Sequence, residues 1–71
     1  LFDALREERL RLAKAQGVPP YVIFHDTTLK AMALARPIHP HDMLNLPGVG
    51  QAKLDRYGED FLAVVKRMVS A

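Results

Sequence analysis

The sequence predicts an all-α domain, a compact bundle of about five short helices. Three observations carry this. Leu, Ala and Met supply 22 residues against 10 from Val, Ile and Thr, a mix that favours helix over sheet. Apolar residues recur at three- and four-residue intervals along most of the chain. The stretches between are short and punctuated by Gly and Pro, with no internal repeat and no low-complexity run.

The first helix is expected over Leu1 to Gln16, with Leu1, Phe2, Leu5, Leu12 and Ala13 on one face. Gly17 supplies its C-cap. Arg9 falls within that apolar face; its stem packs on the core while the guanidinium reaches solvent or a carboxylate. Val18-Pro19-Pro20 cannot continue the helix, because proline lacks the N–H. Tyr21 to Phe24 is then a short apolar linker, either one helical turn or extended.

A second helix runs from His25 or Asp26 to Ala35, with Leu29, Met32 and Ala33 inward and Asp26, Thr27 and Thr28 as capping residues. Arg36-Pro37 ends it. A third, short helix begins with Pro40 at its first position, with Met43, Leu44 and Leu46 apolar. Leu46-Pro47-Gly48-Val49-Gly50 is a tight turn whose two glycines can take positive φ. A fourth helix is expected from Gly50 to Tyr57, with Leu54 inward and Tyr57 facing the bundle. Gly58 breaks or bends the chain, and a fifth helix, Glu59 to Val69, carries Phe61, Leu62, Val65, Met68 and Val69 on one side.

Composition bounds the function. Seventy-one residues give room for one domain, 1–71, with one modest core and little space for an enzyme pocket besides. The chain opens on Leu1 with no initiator Met, so it is read as a fragment of a longer protein. Zero cysteines remove disulfides, thiolate catalysis and Cys-type zinc sites. No apolar run is long enough for a bilayer, and Leu1 to Arg11 is charged, unlike a signal peptide. The net charge is +2, or +5 with all three histidines protonated. That is too little for a surface that coats nucleic acid, so any polyanion is held by local placement. The expectation is a binding module, monomeric in isolation.

The most informative stretch is Leu46 to Lys53. Gly48 and Gly50 let the backbone approach a phosphate, and the N–H groups of Gly48, Val49, Gly50 and Gln51 lie at the start of the following helix. Lys53, one turn in, adds a full charge, and Arg56 lies within reach of the same turn. Such contacts hold backbone phosphate and read no bases. The plainer possibility is a glycine-rich turn that only joins two helices. Tyr21, behind the rigid Pro19-Pro20, is either a stacking platform for an unpaired base or a core tyrosine with a wet hydroxyl. The other basic residues are interleaved with acids, as in Arg6-Glu7-Glu8-Arg9, and read as a solvated face. His39 and His41 flank a proline and do not converge on a metal, so no metal ligands are expected. No set of catalytic residues and no phosphate-binding loop of the nucleotide-hydrolase type is present, so no catalytic residue is assigned.

Gly17-Val18-Pro19-Pro20-Tyr21-Val22-Ile23-Phe24, then Asp26-Thr27-Thr28-Leu29, resembles the HRDC (helicase and RNase D C-terminal) domain. Leu46 to Gly50 and Lys53-Leu54-Asp55-Arg56-Tyr57-Gly58 continue the likeness, which covers essentially the whole chain. The Gly-Val-Gly block is shared with helix-hairpin-helix DNA-binding modules, so a helix-hairpin-helix-like turn is expected. The resemblance implies an auxiliary domain of a RecQ-family ATP-dependent DNA helicase, in the bacterial cytoplasm at the nucleoid, acting in repair and recombination. RNase D is the other parent it implies. Single-stranded or partly duplex DNA would be the ligand, with ATP and Mg²⁺ belonging to the parent motor and no cofactor in this domain. His25 and His39 stand where good capping residues are usual in the family, and Gln51 and Ala52 are neutral. Binding is therefore expected to be weak, and docking onto the parent core or another protein is the competing role.

Overall fold

The computed structural model describes residues 1–70, so the last position of the expected domain, Ala71, lies outside the described residues. The chain is all-helical, in the order α1 (Phe2–Gln16), α2 (Pro20–Ile23), α3 (Asp26–Ala35), α4 (Pro40–Leu44) and α5 (Gln51–Ser70). The count of five stands, but the partition differs from the expected one. The segment left open after Pro19-Pro20 closes one helical turn, with Pro20 at its first position. The expected fourth and fifth helices are a single 20-residue helix.

Gly58 therefore does not break the chain. A helical glycine costs about 1 kcal/mol relative to alanine. Continuity aligns Tyr57, Phe61, Leu62, Val64 and Val65 on one buried stripe, which outweighs that local cost. Gly58 is itself buried, and a Cβ there would stand 2.7 Å from Leu54 Cδ1, so its bareness makes room for Leu54.

The core gathers side chains from every helix. Leu5, Ile23, Phe24, Leu29, Met32, Met43, Phe61 and Val65 are the largest fully buried side chains. Phe24 stands at the centre, with its ring edge-on to Phe61 (5.1 Å between centroids, 79°) and to Tyr57 (6.1 Å, 71°). Tyr57 is a core residue, as expected, and its hydroxyl donates to Gln16 Oε1 at 2.9 Å. Two other expectations are corrected. Met68 and Val69, expected on the same side as Phe61 and Leu62, are exposed, because α5 outruns the helices it packs on. Leu44 on the five-residue α4 is exposed, and Val64 is buried.

Connections follow their residues. Gly17 ends α1 in the left-handed region (φ 67°), with Val18 N–H donating to Ala13 O. Arg36 takes the same conformation after α3 (φ 50°) and donates its N–H to Met32 O, which turns Pro37 into the protein. At the start of α3 the expected capping chemistry is not made: His25 occupies the cap without a side-chain bond. Asp26 and Thr28 are used in tertiary contacts instead.

Candidate nucleic-acid interface

Tyr21 is carried outward by its neighbours in sequence. Pro19 is extended (φ −62°, ψ 148°) and Pro20 opens α2, so the backbone direction is fixed before the ring. Ile23 and Phe24 then bury completely and anchor the turn. Tyr21 is left 59% exposed, the outward of the two placements open to it in the sequence.

Arg9 explains why this corner is rigid. From the apolar face of α1, its Nη1 donates to the Phe24 carbonyl at 3.0 Å and its Nη2 pairs with Asp26 Oδ1 at 2.7 Å. The stem is packed and the head reaches a carboxylate, as its position among apolar residues suggests. One side chain thus ties α1 to the junction of α2 and α3. The hydrogen bond from Arg9 holds the Asp26 carboxyl below its ordinary value, with the charges of Arg9, Arg6 and Lys30 pulling the same way. Desolvation opposes them, more strongly than any one of those charges alone but less than the hydrogen bond.

The sign for stability follows. The folded carboxyl titrates lower than the unfolded one, so the pair stabilises the fold above the unfolded value near 3.8. That contribution is lost as pH falls through the lowered folded value. In acid titrations followed by circular dichroism, Asp26→Asn is expected to remove this part of the acid sensitivity. Equal acid profiles for the two proteins would contradict it.

The same charges mark residues that the sequence did not single out. Arg6 and Lys30 stand close enough to Asp26 to act on its carboxyl, and Arg6 lines a hollow of about 380 Å³ with Arg9 and Pro20. Arg6 lies on α1 and Lys30 on α3, and each is followed or preceded by unremarkable neighbours in sequence. Only the fold brings their charges to bear on Asp26.

The turn before α5 separates the residues expected to act together. Gly48 has φ +81°, as a turn glycine should. A Cβ on it would stand 2.2 Å from Thr28 Oγ1, which donates to Pro47 O at 3.0 Å. Gly48 is thus bare because α3 packs against it. Val49 is buried, and its N–H is already bonded to Leu46 O at 3.2 Å, so neither its side chain nor its donor faces outward. Of the two glycines that could take positive φ, Gly50 does not, and it has open space where a Cβ would stand. Its carbonyl accepts the first bond of α5 from Leu54 N–H at 2.9 Å. The N–H groups of Gln51, Ala52 and Lys53 are then the first of the helix, the ones that intrahelical bonding leaves free. The Gln51 side chain donates to Asp55 Oδ1 at 2.8 Å.

Lys53 and Arg56, one turn apart on α5, lie over different rings. Lys53 Nζ lies 5.8 Å from the centroid of the Phe24 ring, which brings its charge to the α2–α3 junction. The Thr28–Pro47 bond sets the turn before α5 against α3. Arg56 instead lies 5.7 Å over the Tyr57 ring and lines a hollow of about 380 Å³ against α4. Asp55, Glu59 and Asp60 share that hollow, with Pro40, Leu54 and Leu62 as its apolar part. The two sides of α5 thus differ in charge, and Arg56 sits among carboxylates. Among the described residues, no helix is long and apolar enough to cross a membrane.

Comparison with known proteins agrees with this architecture. The family model described as the HRDC domain matches residues 1–65. The chain is 42% identical over 66 residues to the ATP-dependent DNA helicase RecQ of Bacillus subtilis, covering 93% of this chain and 11% of that protein. It is 44% identical over 66 residues to the ATP-dependent DNA helicase UvrD2 of Mycobacterium tuberculosis, covering 93% of this chain and 9% of that protein. The chain thus spans about a tenth of the length of these curated relatives. Among solved structures, D. radiodurans RecQ HRDC domain 3 superposes with a TM-score of 0.95 at 31% identity, covering 99% of this chain and 92% of that one. Five helices in the same arrangement, a family match over nearly the whole sequence and the Val-Pro-Pro-Tyr and Gly-Val-Gly blocks in place make this chain a member of the HRDC domain family.

Proposed function

We propose that this domain is the auxiliary nucleic-acid-binding unit of a RecQ-type ATP-dependent DNA helicase. In this reading it holds single-stranded or partly duplex DNA weakly and biases substrate choice in repair and recombination at the bacterial nucleoid. ATP and Mg²⁺ act in the parent motor, and the domain itself takes no cofactor. The observation that carries the reading is the exposed Tyr21, held outward on a one-turn helix, with Arg6 and Lys30 acting on nearby Asp26 and Lys53 over the Phe24 ring. An aromatic face beside cations suits an unpaired strand, since every base offers a face to stack on and each phosphate a charge to meet. The free N–H groups at the start of α5 add phosphate donors next to Lys53.

Fluorescence titration with a labelled single-stranded oligonucleotide tests it. Binding is expected at low salt and should fall steeply as salt rises, with a slope set by the few phosphates met. Tyr21→Ala should lose about 1–3 kcal/mol of affinity with the salt slope unchanged. Lys53→Ala should weaken binding to every sequence alike and lower the slope by about one. No binding at low salt, or binding indifferent to both substitutions, would sink the reading.

The hollow between α4 and α5 favours a second role at a different surface. Its three carboxylates around an apolar strip repel DNA and suit docking onto the parent core or another protein. In an NMR titration with the same oligonucleotide, DNA binding moves resonances of residues 18–24 and 46–53, whereas a docking-only module leaves them still.

A further inference from the structure

Tyr21 shares its exposed corner with a second ring. His25, one residue before α3, lies against it with centroids 5.9 Å apart and planes 26° from parallel. Both side chains are exposed, while the two residues immediately before His25, Ile23 and Phe24, are fully buried. Burial in the core therefore does not account for the pairing of the two outer rings. Nor does capping, because His25 makes no side-chain bond to the helix it precedes. The rings form one wall of a hollow of about 500 Å³ completed by Arg9, Pro20, Asp26 and Thr27. A hollow of that size has room for a small aromatic ligand.

We propose that His25 is a direct contact of the bound strand: with Tyr21 it forms a two-ring stacking surface, and in its protonated form it adds a charge to the hold on the neighbouring phosphate. The inference rests on the nucleic-acid reading above. Histidine stacks on bases as other aromatic side chains do. It is also the side chain that changes charge between about pH 5 and 8. The groups that face it set the direction of the effect. Arg9 from α1 is engaged by Phe24 O and Asp26, and Arg6 from α1, Lys30 from α3 and Lys53 from α5 are further cations around the same junction. Asp26 is the nearby anion, and it is already paired. A bound phosphate favours the charged imidazole, so binding takes up a proton and tightens as pH falls.

The test is titration of the domain with labelled oligothymidylate, whose bases do not change charge between about pH 5.5 and 8. Wild type is expected to bind about two- to fivefold more tightly at the lower pH, the size of one exposed charge pair. His25→Asn supplies a good helix cap and should lose both the rise and part of the affinity at the higher pH. His25→Phe should restore the affinity at the higher pH without the rise, because it keeps the ring and lacks the charge. His39→Gln and His41→Gln should retain the rise. A rise that survives His25→Asn, or disappears with His39 or His41, overturns the proposal, as does His25→Asn binding like wild type at both pH values. Absence of oligothymidylate binding by wild type at either pH and low salt overturns the underlying nucleic-acid reading, and this inference with it.

Discussion

Phe24→Ala is expected to lower stability by about 3–5 kcal/mol, the range for deleting a fully buried phenylalanine. Small domains hold about 5–15 kcal/mol in total, and a chain of this length lies toward the lower end. The variant should therefore be largely unfolded or close to its midpoint without denaturant. The reason is specific to the position. Phe24 is extended (φ −151°, ψ 146°) between α2 and α3, so its ring enters the core from a junction and not from a helix face. It is edge-on to Tyr57 and Phe61 of α5, and its carbonyl receives Arg9 of α1. Four helices therefore meet at one residue. Urea denaturation followed by circular dichroism measures the loss. Phe24→Leu keeps most of the volume and should cost less than about 1.5 kcal/mol. If alanine costs no more than leucine, the junction is held by something other than this ring.

The same residue shows what the sequence could and could not disclose. Helical periodicity and the two punctuation points, Gly17 and Arg36-Pro37, marked α1 and α3 closely, because those signals are local. At Tyr21 to Phe24 local signals conflict: two prolines precede an apolar run too short to show a period. Only burial of Ile23 and Phe24 against other helices decides for a turn. At Gly58 the local signal pointed the wrong way, since glycine's helix cost is visible in sequence while the buried stripe it interrupts is a tertiary gain. The candidate interface divides similarly. Tyr21 was legible because the prolines that direct it are its neighbours. Arg6 and Lys30 were not, because their approach to Asp26 depends on Arg9 joining α1 to α3. Lys53 and Arg56 share one face of α5, yet Lys53 lies over Phe24, whereas Arg56 lies over Tyr57 and lines the hollow with three carboxylates, a difference set by what packs around them.

The two turn glycines should part company under substitution. Gly48→Ala is expected to cost about 2–5 kcal/mol, from two sources. An alanine at φ +81° bears the left-handed penalty of about 1–2 kcal/mol. Its Cβ would also stand 2.2 Å from Thr28 Oγ1. Thr28 is buried, so moving its hydroxyl away breaks the bond to Pro47 O and leaves a polar group poorly paired, about 1–3 kcal/mol more. Gly50→Ala meets nothing within 4 Å and no positive φ, and should cost only the lost preference for glycine over alanine at a helix cap, about 0.5–1 kcal/mol. A double-mutant cycle identifies the cause. In a Thr28→Ala background the clash is gone, and Gly48→Ala should cost only its backbone penalty of about 1–2 kcal/mol. Because Gly50→Ala leaves the fold intact, its oligonucleotide affinity then reports directly on close approach of a phosphate at the start of α5. Equal costs at 48 and 50 would mean that general turn flexibility, and not the packing of α3 against Gly48, places a glycine there.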